Sequence, residues 1–515
     1  MKTHSSSFSV ACAVRTAACA LWIQGCSPAT LATDDIGPAG GVLVELETGA
    51  SLVIPAGALA DETKLSFTRL GSQSGGLPDG SIALSAPVAL SPSETSLARA
   101  ATLTLTVDHD LDFELDDAKL LGSLAVLRRD NAEDPSWEAV PIAGIDASSY
   151  SLEIVVRTDR LGVYVVTTVP NAVRSEAVVG EQVVSFPHDL SNSLYGARPV
   201  MAKSGDYLYW SSSAKLQRLK LEGSAAIAVQ TLFEEPQGRP LRLVALGADA
   251  VYFAHSSSDG GHSWLGRALN LDEPRPTIQT SWKSLDEFNV GVSEASPMGL
   301  VVGNYLYSGG SQRLDLSSGA VEPIPPPLDT ASLGWDCSVA PDRTRFLCLD
   351  REIDMSRPSS PVVRQVLSSD VLDAGRVTGS NDTHWFYTKQ TRLNGPQTVY
   401  RVPHGGGDAL VAYPGLGGSV SPLLVPESNT LFVWENANEL SWVDFESGVI
   451  NTRAGLRRRD DGKIVLDPSN SHADGSVLWA HTRGDVAFLM TATSSISAPL
   501  ADEIRLLRFS LPLLR

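Results

Sequence analysis

Three features of this chain have residue types and spacing that could do chemistry: a pair of late cysteines, an acidic run and a small histidine cluster. Cys337 and Cys348 bracket Ser-Val-Ala-Pro-Asp-Arg-Thr-Arg-Phe-Leu. A hairpin turning at Asp342-Arg343 brings the two thiols opposite each other and pairs Val339 with Phe346 on the same face. Directly opposed residues of this kind lie at a separation a disulfide spans. The competing chemistry, a two-cysteine metal site, lacks nearby partners, and ten intervening residues is not a zinc-knuckle spacing. The run Asp108-His109-Asp110-Leu111-Asp112-Phe113-Glu114-Leu115-Asp116-Asp117 begins like a calcium loop. Phe113 stands where the sharp turn needs glycine, and Lys119 replaces the final acid, so a solvated loop between strands competes with calcium binding. His255, Asp259 and His262 fall within eight residues, in a segment that reads as a long hairpin turn.

No serine elbow, zinc-protease helix, P-loop or dinucleotide fingerprint occurs. No catalytic, cofactor-binding or metal-ligating residue is therefore assigned, and no cofactor is expected. Trp264, Trp335, Trp385 and Trp434 sit near expected loop ends, where they could line a groove or pack between structural units.

Chemistry of another kind is expected at Cys26. Lys2 and Arg15 precede a ten-residue apolar stretch, Thr16–Gly25, which is too short to span a bilayer and is ordered like an export signal. The run Ile23-Gln24-Gly25-Cys26 resembles the lipobox of bacterial lipoproteins. That resemblance implies cleavage after residue 25, acylation of the Cys26 thiol and, with Ser27 following, an outer-membrane address facing either the periplasm or the cell surface. Gln24 departs from the pattern, and a plain secretory signal is the alternative. Multiple acyl chains would hold the protein on the membrane, each buried methylene contributing about 0.8 kcal/mol. Residues 26–36 read as a tether.

The net charge of −19 becomes about −21 once Lys2 and Arg15 leave with the signal, which argues against nucleic-acid partners and against charge-driven binding to anionic lipid. Hydrophobic content of 43% indicates globular folding.

Two textures divide the remainder. Residues 37–170 show strand-like alternation, as in Lys64-Leu-Ser-Phe-Thr-Arg-Leu and Ala101-Thr-Leu-Thr-Leu-Thr-Val, and predict a β-sandwich. The pieces Gly40-Gly41, Ile54-Pro55-Ala56-Gly57-Ala58-Leu59, Trp137-Glu138-Ala139-Val140 and Leu161-Gly162-Val163-Tyr164-Val165-Val166 resemble the ZU5 family. Some of its members self-cleave at His-Phe-Ser, which is missing here, so self-cleavage is not expected.

Residues 171–180 read as a linker, and residues 181–515 carry a loose repeat. Its units are Asp206-Tyr-Leu-Tyr-Trp, Asp249-Ala-Val-Tyr-Phe, Asn304-Tyr-Leu-Tyr-Ser, Thr344-Arg-Phe-Leu-Cys, Thr383-His-Trp-Phe-Tyr, Asn429-Thr-Leu-Phe-Val-Trp and Ser476-Val-Leu-Trp-Ala. Several are followed by basic-apolar strands such as Leu216-Gln-Arg-Leu-Lys-Leu. This period marks a β-propeller of about seven blades, and the region resembles TolB-like or WD-like propellers. A pair of irregular β-sandwiches is the alternative. Gln182-Val-Val-Ser-Phe186 is expected to close the ring against the last blade. The whole is thus all-β, a ZU5-like sandwich followed by a propeller. The expected function is non-enzymatic binding or scaffolding in the envelope, through the propeller loops, to an unnamed protein or glycan. The alternative is an anchored polysaccharide lyase or hydrolase.

Overall fold

The computed structural model describes residues 29–510 outside 46–48, 72–75, 94, 109–122, 148–150, 169–177, 188–199, 202–206, 213, 222–228, 240, 248, 257–262, 287, 289–299, 308–311, 326–327, 329–336, 343, 349, 358–359, 368–375, 391–396, 417–422, 427–429, 436–438, 446–449, 454–455, 459–463, 467–475, 484–485 and 494–502. All regular structure within them is β.

Two sheets face each other in the first domain. One orders its strands Ala29–Ile36, Thr63–Arg69, Val88–Ser91, Val163–Thr168, Leu124–Arg129 and Glu138–Val140, with Ile82–Ala83 pairing beside Val163–Thr168. The other runs Ile142–Ala147, Ser151–Arg160, Ser96–Asp108, Ser51–Ile54 and Gly41–Val44. Alternation decides which face is buried. Leu152, Ile154 and Val156 point inward from one strand, Leu103, Leu105 and Val107 from its neighbour, and Phe67 and Tyr164 meet them from the opposite sheet. The ZU5-like pieces meet here. Gly40 has φ +78°, and a Cβ on it would lie 2.5 Å from the carbonyl oxygen of Ile54, so the glycine and the Ile-Pro-Ala-Gly signature require each other.

The expected tether is partly strand: Ala29–Ile36 pairs antiparallel with Thr63–Arg69. Its alternation is weak, because Thr33, Asp34 and Asp35 break the apolar pattern, so the segment reads as a tether rather than as a strand. The expected linker is likewise shortened by a strand that starts at Val178. Cys26 lies outside the described residues.

The second region is a ring of seven sheets. Six are four-stranded, each built in chain order: Val200–Met201 through Gln230–Glu234, Arg242–Leu246 through Thr277–Ser284, Leu300–Val302 through Val321–Pro323, Cys337–Val339 through Val362–Gln365, Arg376–Ser380 through Leu410–Leu416, and Leu423–Pro426 through Ile450–Arg453. These are blades one to six. In each of them the repeat unit is the second strand. Blade seven joins Ser476–Arg483, Val486–Thr493 and Glu503–Ser510 to the earlier strand Val178–Pro187, and Ile464–Leu466, paired with Val178–Gly180, and Leu456–Arg458 extend its sheet to six strands. Gln182 pairs with Leu507 and Phe186 with Ile504, while the Glu181 carboxylate ion-pairs with Arg508 across the closure. The chain's own early strand covers the edge that Glu503–Ser510 would otherwise present. One repeat unit is corrected: Ser476-Val-Leu-Trp is the first strand of blade seven, and Val486–Thr493 is its second. Both strands are apolar and alternating, so pattern alone does not separate them.

The two domains are joined. The backbone N–H of Ile145 in the sandwich donates to the Tyr400 hydroxyl in blade five at 3.3 Å, and Arg157 lies 3.3 Å from Asp408. Val411 of blade five packs against the sandwich core. The linker reading implied few contacts between domains. The contacts come instead from chain segments far apart in sequence, which no local pattern reveals.

Candidate interaction site

Connections in a four-stranded antiparallel blade alternate between its two ends. First-to-second and third-to-fourth turns share one end; second-to-third turns and blade-to-blade connections share the other. Backbone hydrogen bonds fix these groupings. Glu235, in the connection from blade one to blade two, donates its N–H to Ala214 in a second-to-third turn at 2.8 Å. Leu285 donates to Ser263 in the same way at 2.8 Å. Glu235 is 3% exposed, and its carboxylate accepts from the N–H groups of Gln237 and Arg239 at 2.9 and 2.7 Å, which fixes the backbone of its connection. Gln237 and Asp286 stand exposed on this rim.

At the opposite end, the His404 N–H donates to the Thr383 carbonyl at 2.9 Å. This end carries seams that lock one blade to the next. Arg218 of blade one is 2% exposed and donates to the carbonyls of Leu271, Glu273 and Pro274 in blade two at 2.7, 2.7 and 2.8 Å. Its guanidinium lies 4.3 Å from the Tyr207 ring centroid. Arg267 of blade two reaches Leu316 O in blade three at 3.2 Å and stacks over Trp282 at 4.2 Å. Between blades four and five, Glu352 is 1% exposed and accepts from Trp385 Nε1 at 2.6 Å and from the Gly405 N–H at 2.8 Å. Trp385 also meets the His404 ring at 4.6 Å between centroids, and His404 Nε2 pairs with Ser380 Oγ at 3.1 Å.

Against this geometry the residues singled out in the sequence separate clearly. Cys337 and Cys348 are register partners with sulfurs 1.98 Å apart, and Val339 stands opposite Phe346. His255 is packed between Phe233 and Phe253, and its Nε2–H donates to Thr280 O at 2.5 Å. Asp259 and His262 lie outside the described residues, as does the acidic run from residue 109 onward, together with Trp335 and Cys26. Trp385 is fully buried between blades, Trp264 is half-buried, and Trp434 belongs to the second strand of blade six. Among the described residues no group of three His, Cys, Asp or Glu side chains could hold a metal. The basic-apolar alternation was visible in the sequence; that it supplies arginines to the blade seams was not.

Residues 32–117 match the ZU5 domain family. The match begins inside the segment expected as a tether, in accord with the strand found there. No curated protein matches the chain. Among solved structures, BamB from Moraxella catarrhalis is similar at 13% identity over 64% of this chain and 100% of that one, with a TM-score of 0.35. AztD from Citrobacter koseri is similar at 12% identity over 57% of this chain and 80% of that one, with a TM-score of 0.34. Likenesses this distant say nothing of this chain beyond the similarity itself.

Proposed function

We propose that this protein is a non-enzymatic lipoprotein of the cell envelope, anchored in the outer membrane through Cys26, whose propeller rim binds an envelope protein or glycan. The sandwich serves as the docking and spacing module. One observation carries the reading. The sandwich is seated on the third and fourth strands and the third-to-fourth turn of blade five, through Tyr400, Val411 and Asp408, and that turn lies at the end opposite the rim where Gln237 and Asp286 stand exposed. A rigid ring presenting loops at one end is the usual arrangement for recognition. The non-enzymatic part is supported by how the polar side chains are engaged: Glu352, His404 and His255 are held in packing between strands and blades.

Two experiments test this. Cys26→Ser should abolish palmitate labelling and move the protein out of the membrane fraction; unchanged labelling and fractionation refute the anchor. Replacing Gln237 and Asp286 together with arginine should abolish retention of the envelope ligand while leaving thermal unfolding unchanged. Retention by the altered protein, or turnover of a glycan by the purified propeller, refutes the rim-binding or the non-enzymatic reading respectively.

A further inference from the structure

Blades one, two, three and five each place an arginine at one position of the third strand. Arg218 lies opposite Tyr209 and Gln230, Arg267 opposite Tyr252 and Gln279, and Arg313 opposite Tyr307 and Glu322. The fourth-strand partner holds each guanidinium. Gln230 Oε1 accepts from Arg218 Nε at 2.8 Å, Gln279 Oε1 from Arg267 Nε at 2.7 Å, and Glu322 Oε2 from Arg313 Nη2 at 2.9 Å. Arg401 occupies the same position in blade five, but the residues opposite it are Phe386 and Leu410. Both polar partners have been replaced by apolar side chains, and the arginine has been kept.

Its guanidinium lies 4.2 Å from the Phe445 ring centroid, and its buried Nε has no acceptor among the described residues. A half-buried cation without an anion is unfavourable, and burial pushes the Arg401 guanidinium down from its usual value. Arg401 lines a cleft of about 110 Å³ at the seam between the two domains, open to solvent at its mouth. The other walls are apolar: Val126, Val140 and Ile142 from the sandwich, and Val411, Val443 and Phe445 from blades five and six. A single oriented cation among apolar walls is the usual composition of a small-ligand site.

We propose that this cleft binds a small carboxylate carrying an apolar chain, the carboxylate pairing with Arg401 and the chain lying between sandwich and propeller. The planar fork of a guanidinium matches a carboxylate in two parallel hydrogen bonds. A phosphate dianion would call for a second cation, and none of the described residues lining the cleft is one.

The probe is sodium octanoate, titrated calorimetrically into the full mature chain, with octan-1-ol and octylamine as controls for chain without carboxylate. Octanoate should bind at least tenfold more tightly than either control. Arg401→Met should weaken it at least tenfold. Leu410→Gln, which restores the partner seen in blades one and two, should weaken it several-fold by engaging the guanidinium internally, and it keeps the test decisive should Arg401→Met fail to fold. Binding no tighter than that of octanol, or binding indifferent to both substitutions, overturns the proposal.

Discussion

The hydroxyl of Tyr400 in the fifth blade accepts a hydrogen bond from the backbone N–H of Ile145 in the sandwich, at 3.3 Å and out of contact with solvent. Two residues 255 positions apart thereby fix the orientation of one domain on the other. Apart from the half-buried Arg401 and the exposed Arg157–Asp408 pair, the described residues of the seam named above are apolar, so this buried pair carries much of its directional specificity.

Tyr400→Phe should therefore loosen the seam without disturbing the ring. It leaves the Ile145 N–H buried and unpaired, a cost of about 1–3 kcal/mol. Hydrogen exchange should show faster exchange across 142–147 and unchanged protection in the blade-five strand His384–Gln390. Unchanged protection of 142–147 would show that the hydrogen bond does not govern docking.

Arg218 joins blades one and two through three carbonyls, and it is almost wholly buried. Arg218→Met removes the donors and strands those acceptors. A loss of about 2–4 kcal/mol is expected, read as a lower urea midpoint at constant slope. A shift below about 0.5 kcal/mol would mean the latch contributes little beyond shape.

Acidification should weaken the region around blades four and five. Burial, helped by the charges of Arg401 and His404, holds His384 below the usual histidine range. Burial and Arg345 hold His404 below it too, against the opposing pull of Glu352 and Asp342. Both are bases with folded pKa values under the unfolded value of about 6.5. Above that pH the histidines are neutral in folded and unfolded chains alike, and their stability contribution is complete. As pH falls from about 6.5, the unfolded chain takes up protons first, and stability is lost until the pH passes the folded values. The melting temperature should fall between pH 7 and 5, and His404→Gln should flatten that slope. A slope unaltered by the substitution assigns the pH dependence to other groups.

Bonding of Cys337 to Cys348 should leave no free thiol in denatured, unreduced protein from the envelope. Reduction of a loop this small should cost about 3 kcal/mol, seen as a lower melting temperature. Two titratable thiols would contradict the bridge.

The parts of this structure that were legible in the sequence rest on local periodicity. The second strands of blades one to six, the closing strand around Gln182–Phe186 and the register of Cys337 with Cys348 all follow from alternation within a few residues or between neighbouring strands. The strand Ala29–Ile36 did not show, because Asp34 and Asp35 lie on a sheet edge where burial demands little. The second strand of blade seven was misplaced because Ser476–Arg483 beside it is equally apolar. The seam between Ile145 and Tyr400 and the cleft at Arg401 were invisible for a different reason: each joins segments hundreds of residues apart, and nothing in either segment announces the other. Residues 32–117 supplied family likeness, and the propeller supplied only pattern.

Binding through the rim is tested most directly by site-specific photocrosslinking in cells that express the full-length protein. A photoreactive residue replaces Gln237 or Asp286 on the rim, or Ser318 in the third-to-fourth turn of blade three at the opposite end. Discrete higher-mass adducts from positions 237 and 286, and none from 318, are the result expected of a rim-binding scaffold. Adducts from position 318 with none from either rim position would contradict it.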